Sequence, residues 1–394
     1  MIRVGFAIAN SASWTGGLIY LQNLVQAIMA DPDRMVEPVL IADPATPPDH
    51  LTGFAGAEII RTRLVSQSLP VRVLAKGSLA LLGRNWPLER FLRAHDIALL
   101  SHSGFLGPRA RIPALPWLPD FQHVRMPEFF AAEEVAARDR GYLRTARSAP
   151  ALLLSSNDAR GDLAAFAPGA ETRSHVLHFM AGMVRGDDPR GPDYLTQQYG
   201  ISGPFFYLPN QFWKHKNHRL VIDALGLLAA EGHGQVPLVV CTGKPEDRRN
   251  PDHFAQLMDH ARAVGAEPYF RVLGLIPYAD LSVLFRHATA LINPSHFEGW
   301  STTVEEAKSM GKTIILSDIP VHREQAPARG LYVPPGDAVA MAQAMVDIQA
   351  RWSSEEDTAA MALATAAVPA RRIAFARDYQ RIALAAVQEA GHAQ

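Results

Sequence analysis

The sequence has almost no cysteine: among 394 residues Cys241 stands alone. A disulfide framework is excluded, and the chain fits a reducing compartment. Cys241 lies in the apolar run 237–241 and reads as a small buried residue rather than a reactive thiol. Net charge is also missing, since 38 Lys and Arg face 39 Asp and Glu. Nucleic-acid binders carry a basic excess, so that class is disfavoured. No apolar run reaches the roughly 18 residues of a membrane span. The opening run MIRVGFAIA is too short for a signal peptide, has no cleavage-site pattern, and reads as a first buried strand. There is no internal repeat or low-complexity tract, and no G-x-G-x-x-G, which disfavours a nicotinamide oxidoreductase. The expectation is a soluble cytoplasmic protein, or one attached to the inner face of the cell membrane.

What is present is an alternation of short apolar runs with longer amphipathic ones, the pattern of an α/β protein with parallel sheets. Strands are expected at 1–9, 36–42, 97–101, 115–117 and 151–155. A helix over 18–29 puts Leu18, Leu21, Leu24, Val25 and Ile28 on one face. A stretch rich in Gly, Pro and Asp follows, and a second series begins at Phe205. Its strands are expected at 205–209, 237–242, 269–273, 288–293 and 313–316. Its helices are expected at 219–230, 253–264, 339–350 and 354–366. This predicts a first domain over 1–183, a linker over 184–204 and a second domain over 205–370. A last helix spans 371–394, either simply terminal or crossing back to the first domain. Two such halves suit a ligand bound in a cleft at the carboxyl ends of the strands.

The segment 290–320 reads ALINPSHFEGWSTTVEEAKSMGKTIILSDIP. A strand ends at Asn293, a loop holds Pro294 and Gly299, and Thr302 to Glu305 have capping-box spacing. Gly311 stops the helix. Glu298 then sits on a loop beyond a strand end, and Glu306 in the first helical turn. The free backbone N–H groups of that turn suit a diphosphate, and a carboxylate can grip a vicinal diol. Together they suit a sugar nucleotide, although a solvated acidic helix start would look the same.

This segment resembles the acidic motif of the retaining glycosyltransferases of family 4, which have the GT-B fold of two Rossmann-like domains facing each other across a cleft. The matching residues are Pro294, Ser295, Glu298, Gly299, Glu306, Ala307 and Gly311, continued by Ser317, Asp318, Ile319, Pro320 and Glu324. The resemblance is strong over 274–327. It implies that Glu298 contacts the transferred sugar and Glu306 the ribose diol. The donor-side set expected on this basis also includes Gly274, Trp300, Ser301, Thr302 and Thr303.

Three further segments bear on the site. In LPNQFWKHKNH (208–218), Lys216 matches the family's phosphate-binding lysine, but Asn210 stands where the family has an arginine. Lys214 is a candidate for the second charge. His215 and His218 match no standard zinc spacing, and neither a metal nor a cofactor is expected. Gly16 and Gly17 after the first strand match the family's glycine-rich loop, which touches donor phosphates and acceptor. In WLPDFQHVRMPEFF (117–130), Asp120 matches an aspartate of the family, Pro119 stands at its histidine position, and His123 is a candidate substitute. His102 is another candidate. Asp31-Pro32-Asp33 reads as a solvated turn, not a metal-nucleotide motif.

The resemblance implies a metal-independent hexosyltransferase that retains anomeric configuration. Its donor would be GDP-mannose or another nucleotide-hexose, and its acceptor a glycan or lipid-linked glycan in bacterial cell-surface polysaccharide synthesis, such as lipopolysaccharide. An epimerase of the same fold, or a non-catalytic sugar-nucleotide-binding protein, is the alternative. Residues 61–93 hold seven Arg or Lys and a single acid, Glu89. Leu79, Leu81, Leu82 and Trp86 interleave with them, so this segment reads as an ordinary exposed helix pair or as a patch for an anionic membrane.

Overall fold

The computed structural model describes residues 1–8, 15–66, 68–103, 106–181, 189–232 and 236–392. The chain divides into two compact units. Met1–Phe121, Glu133–Gly182 and Pro369–Gln394 make the first; Gln122–Ala132 and Met183–Val368 make the second.

The first unit carries β1 (Ile2–Ile8), β2 (Val36–Ala42), β3 (Glu58–Arg61), β4 (Ile97–Ser101) and β5 (Ala114–Leu115) in one sheet of order β3-β2-β1-β4-β5. All its pairings are parallel. β2 is buried at every position but Glu37, as expected of a strand covered on both faces. The helix Thr15–Ala30 buries Leu21, Leu24, Val25 and Ile28, spaced three and four apart. A second, three-stranded sheet has the order β6-β7-β8: Trp117–Leu118, Leu152–Leu154 and Ser174–Val176. The single strand expected at 115–117 is therefore two strands in two sheets. Pro116 lies between them and has no N–H to continue a ladder, while its carbonyl accepts from the Leu153 amide at 2.9 Å.

The second unit carries β9 (Phe205–Leu208), β10 (Leu238–Thr242), β11 (Phe270–Gly274), β12 (Ala290–Asn293), β13 (Ile314–Ser317) and β14 (Gly330–Val333), ordered β11-β10-β9-β12-β13-β14. These strands are parallel too. The runs of β9, β10, β12 and β13 are almost wholly buried between two hydrophobic clusters, one on each face, while the edge strands β11 and β14 are only partly buried. Cys241 is fully buried in β10, and burial pushes its thiol well up. Part of the stretch read as a linker, 184–188, lies outside the described residues. Beyond it, the helix Pro192–Tyr199 belongs to the second unit. The hydroxyls of Tyr194 and Tyr199 donate to Asp280, which also pairs with Arg190 at 2.6 Å.

The helices expected at 354–366 and in the last segment form one helix, Ser354–His392, with Pro369 inside it. The chain changes unit at that proline. Before it, Asp357 pairs with the buried Lys312 and with Arg329. After it, Tyr379, Ile382, Ala383 and Ala386 are buried in the first unit. The Gln380 side chain accepts from the amides of Met35 and Val36 and donates to Asp31. Asp31 is therefore not in a solvated turn. It is 1% exposed, and although burial opposes its charge, bonds from Arg377, the Asp33 amide and Gln380 hold its pKa below the usual value. By length and composition, this helix could cross a membrane, but Asp357 and Gln380 tie its two parts into the two units.

Candidate functional site

In the second unit the strand order reverses direction between β9 and β12. Successive strands run to one side from β9 and to the other from β12. Such a switch point opens a crevice at the carboxyl ends of the strands, because the two outgoing segments diverge there. Those segments here are Pro209 to Asn217 after β9 and Pro294 to Ser301 after β12. They carry Asn210, Lys214, Lys216, Glu298, Gly299, Trp300 and Ser301, all singled out in the sequence.

A continuous hydrogen-bond chain links them. Lys216 Nζ donates to Glu298 Oε1 at 2.7 Å. The Ser295 hydroxyl has Glu298 Oε1 and Asn293 Oδ1 both at 2.7 Å, so its one proton serves either. Asn293 Nδ2 donates to Ser301 Oγ at 2.7 Å, and Ser301 Oγ caps the helix Thr302–Met310 by accepting from the Val304 amide. Asn210 Nδ2 donates to Asn293 Oδ1, and Thr303 Oγ1 donates to Asn210 Oδ1, both at 3.3 Å. Asn210, Asn293, Ser295, Glu298, Ser301 and Thr303 are all buried. A buried network with every member paired fixes its side chains rigidly. Burial alone would raise the Glu298 carboxyl. The Lys216 ammonium, the nearby His322 and the bond from Lys216 outweigh it and bring the carboxyl down to about 2.

The helix start differs from the capping box read in the sequence. Ser301 is the N-cap, one residue earlier, and Glu305 turns away to Lys308 and Gln325. Gln325 also clamps Ser301, accepting from its amide at 3.1 Å and donating to its carbonyl at 3.0 Å. Thr302 is exposed at the first position, and the amides of Thr302 and Thr303 have no acceptor within the helix. Glu306 is half-buried, and its carboxylate accepts no hydrogen bond among the described residues. Desolvation pushes it up to about 8. Trp300 is 8% exposed and Gly299 half-buried beside it. Gly274 ends β11 with φ +70°, and a Cβ there would meet nothing within 4 Å. Its carbonyl accepts from the Gly243 amide at 2.9 Å.

The other candidates lie apart from this chain of bonds. Lys214 is exposed and stands 5.3 Å over the Phe129 ring. Arg125 stands over Phe297, next to Glu298, and Arg249 over Phe130. These three cation–π contacts hold 122–132 on the second unit. His123, fully buried on the short helix Gln122–Arg125, comes with it. Asp120 stays in the first unit, where its charge helps burial to raise the Tyr142 hydroxyl. The pair thus falls in different units. Burial holds His215 and His218 neutral, with values brought down to about 3, and His218 stacks on Phe212 at 4.3 Å. Among the described residues no group of three or more His, Cys, Asp or Glu could hold a metal ion.

The first unit has its own switch point, between β1 and β4. After β1 come residues outside the described set, 9–14, and then the helix start. Gly16 and Gly17 lie inside the first turn of that helix rather than in a loop, Gly16 exposed with open space at its Cβ position. After β4 comes His102, a non-glycine residue at φ +57°. Its Nε2 shares a proton with the Tyr20 hydroxyl at 2.7 Å, and its Nδ1 with Ser101 Oγ at 2.9 Å. Desolvation brings its imidazole down to about 3, so it is neutral. Trp117 stacks on Tyr20 at 4.5 Å and donates to Ser155 Oγ. Tyr20, Trp117, Asn293 and Ser295 were not singled out as site residues from sequence. The signal for the last two is their polarity at the end of an apolar strand and in the loop that follows it, and Ser295 is also one of the motif matches.

Residues 205–351 match the family model described as "Glycosyl transferases group 1". An "O-antigen chain mannosyltransferase B" of Escherichia coli is 30% identical over 127 residues, which is 32% of this chain and 32% of that protein. The match thus spans about a third of that relative's length. Two solved structures share the fold along nearly the whole chain. One is Anabaena HepE in complex with UDP and glucose, with TM-score 0.66, 18% identity, and 98% of this chain and 99% of that one covered. The other is a glycosyltransferase from Rickettsia africae, with TM-score 0.67, 13% identity, and 99% and 98% covered. Residues 205–351 thus resemble the glycosyl transferases of group 1, and the chain as a whole has the GT-B fold.

Proposed function

We propose that this protein is a retaining hexosyltransferase that moves a sugar from a nucleotide-hexose to a hydroxyl of a glycan or lipid-linked glycan in cell-surface polysaccharide synthesis. The observation that carries the reading is the bonded chain Lys216–Glu298–Ser295–Asn293–Ser301 at the switch point of the second unit. Beside it stand the helix start at Thr302 and the unbonded Glu306. Lys216 and the first-turn amides would bind the donor diphosphate, Glu306 the ribose diol, and Glu298 the hexose hydroxyls. Support for the donor class comes from the matched relatives, one bound to UDP and glucose and one named a mannosyltransferase.

The chemical step in this proposal needs no metal. The departing diphosphate takes the proton of the attacking acceptor hydroxyl as the bond from anomeric carbon to phosphate oxygen breaks. The new glycosidic bond forms on the same face. Lys216 and the amides of Thr302 and Thr303 stabilise the charge that grows on the leaving oxygen. Asn210, at the place where the family has an arginine, contributes a dipole and no charge.

The first experiment is a thermal-shift screen of GDP-, UDP- and dTDP-hexoses, followed by transfer to lipid-linked acceptors with the product's anomeric proton read by NMR. A stabilising donor and a product with the donor's configuration are expected. An inverted product would refute retention, and conversion of the sugar nucleotide without acceptor would favour the epimerase alternative.

A further inference from the structure

We propose that Gln325 is a positioning residue for transfer: it fixes the Ser301 peptide and so aims the first-turn amides at the donor diphosphate. Its role rests on the reading of those amides as partners of the diphosphate.

Gln325 ends the short helix Pro320–Gln325 and is 2% exposed. A polar side chain is buried so deeply only with its hydrogen bonds made. Both Nε2 protons are donated, one to the Ser301 carbonyl at 3.0 Å and one to Glu305 Oε1 at 3.2 Å, and Oε1 accepts from the Ser301 amide at 3.1 Å. The side chain thus copies a peptide group, pairing with both backbone groups of one residue as a neighbouring strand would. Glu305 decides which way it points. A carboxylate only accepts, so Nε2 must face it, and Oε1 is left for the Ser301 amide. Glu305 is itself 2% exposed and held by Lys308 at 2.9 Å.

The helix that carries Gln325 is anchored in turn. His322 Nδ1 donates to the Ser317 carbonyl at 2.9 Å, and the Tyr332 hydroxyl donates to the His322 carbonyl at 3.3 Å. The clamp therefore acts from a fixed point. Its consequence follows from peptide geometry. The Ser301 carbonyl and the Thr302 N–H belong to one planar trans unit and point opposite ways. Gln325 Nε2 and the Glu305 amide both hold that carbonyl, so the Thr302 N–H is aimed away from them. Without the clamp, Thr302 is free to take over the cap, and the unbonded amides shift by one residue. Donors stabilise a growing charge best when their direction is set beforehand. Gln325 sets it here without touching the donor.

The test is calorimetric binding of UDP against uridine and of GDP against guanosine, with the unaltered protein, Gln325→Met and Lys216→Met. Gln325→Met keeps the volume and removes all three bonds. Diphosphate affinity should fall about tenfold, on the order of one or two hydrogen bonds, while nucleoside affinity changes by less than about twofold. A side chain that only stabilised the fold would lower both together or neither. In transfer assays kcat should fall and donor KM rise, with acceptor KM unchanged. Equal loss for nucleoside and diphosphate, or no loss, would overturn the proposal. If Lys216→Met weakens the diphosphate and Gln325→Met does not, the positioning role is refuted and the donor reading stands; if neither does, both fall. Hydrogen exchange on the unaltered protein tests the clamp even where the variant fails to fold. The Ser301 amide should exchange slowly without ligand, and those of Thr302 and Thr303 should slow only when diphosphate is added. A Ser301 amide exchanging as fast as that of Thr302 would contradict the clamp.

Discussion

The two units solve one topological problem with opposite chemistry. Each has a parallel sheet whose strand order reverses, at β1 and β4 in the first and at β9 and β12 in the second. The crevice of the second is lined by a lysine, two glutamates and a bonded chain of amides and hydroxyls. The crevice of the first is lined by rings and neutral groups: Tyr20, Trp117 and a His102 kept uncharged by burial. Charges and helix-start amides fit a diphosphate; aromatic faces and neutral hydroxyls fit an uncharged sugar. Under the proposed function the second crevice would take the donor and the first the acceptor without any change of topology, because the difference lies in the residues just beyond the strands.

The largest effect expected from breaking this contrast is at Lys216. Lys216→Met leaves the Glu298 carboxylate, 9% exposed, without its cation. Removing one partner of such a pair costs about 3–5 kcal/mol, so a large drop in urea midpoint is expected, with donor affinity lost alongside. The acid limb should report the same pair. Glu298 titrates near 2 in the fold against about 4.5 unpaired. Its contribution of about 3 kcal/mol is thus present above pH 4.5 and lost as pH falls through 2, and Glu298→Gln should flatten that limb of a stability–pH curve.

Glu306 should behave in the opposite sense. Its folded value near 8 lies above its ordinary one. The fold therefore disfavours its ionised form, and that penalty grows as pH rises from 4.5 to 8. Glu306→Gln should raise the melting temperature at pH 8 by the equivalent of about 1–2 kcal/mol and change little at pH 4. Donor affinity should fall about tenfold in the same variant, seen by calorimetry. The smallest effect belongs to the first unit. Trp117→Ala and Tyr20→Phe should raise the acceptor KM several-fold, about 1 kcal/mol for a lost ring face or hydroxyl bond, with donor binding unchanged.

The second unit was the more legible of the two in the sequence, and for a physical reason. Its strands are short unbroken apolar runs, so their ends are visible, and the residues after β12 are forced to be polar because they leave the core. That puts Glu298 on a loop and Glu306 in a first helical turn, and the resemblance to family 4 implies their roles. Of the partners of Glu298, Ser295 lies three residues away in the same loop, whereas Lys216 meets it through a strand crossover that spacing does not encode. The helix starts one residue before the capping-box spacing because Thr302 and Ser301 are both competent caps, and the Gln325 clamp, from a later helix, chooses Ser301. In the first unit, Pro116 divides one apolar run between two sheets, and Tyr20 reaches His102 from across a crossover. His123 was read as part of the first half, yet three cation–π contacts from distant residues hold its segment on the second unit.

The most direct measurement is a calorimetric titration of nucleoside diphosphate into the unaltered protein, Glu306→Gln and Trp117→Ala. Loss of about tenfold in affinity for Glu306→Gln, with Trp117→Ala unchanged, is the result expected if the second unit's switch point holds the donor. Loss for Trp117→Ala with Glu306→Gln unchanged would contradict it.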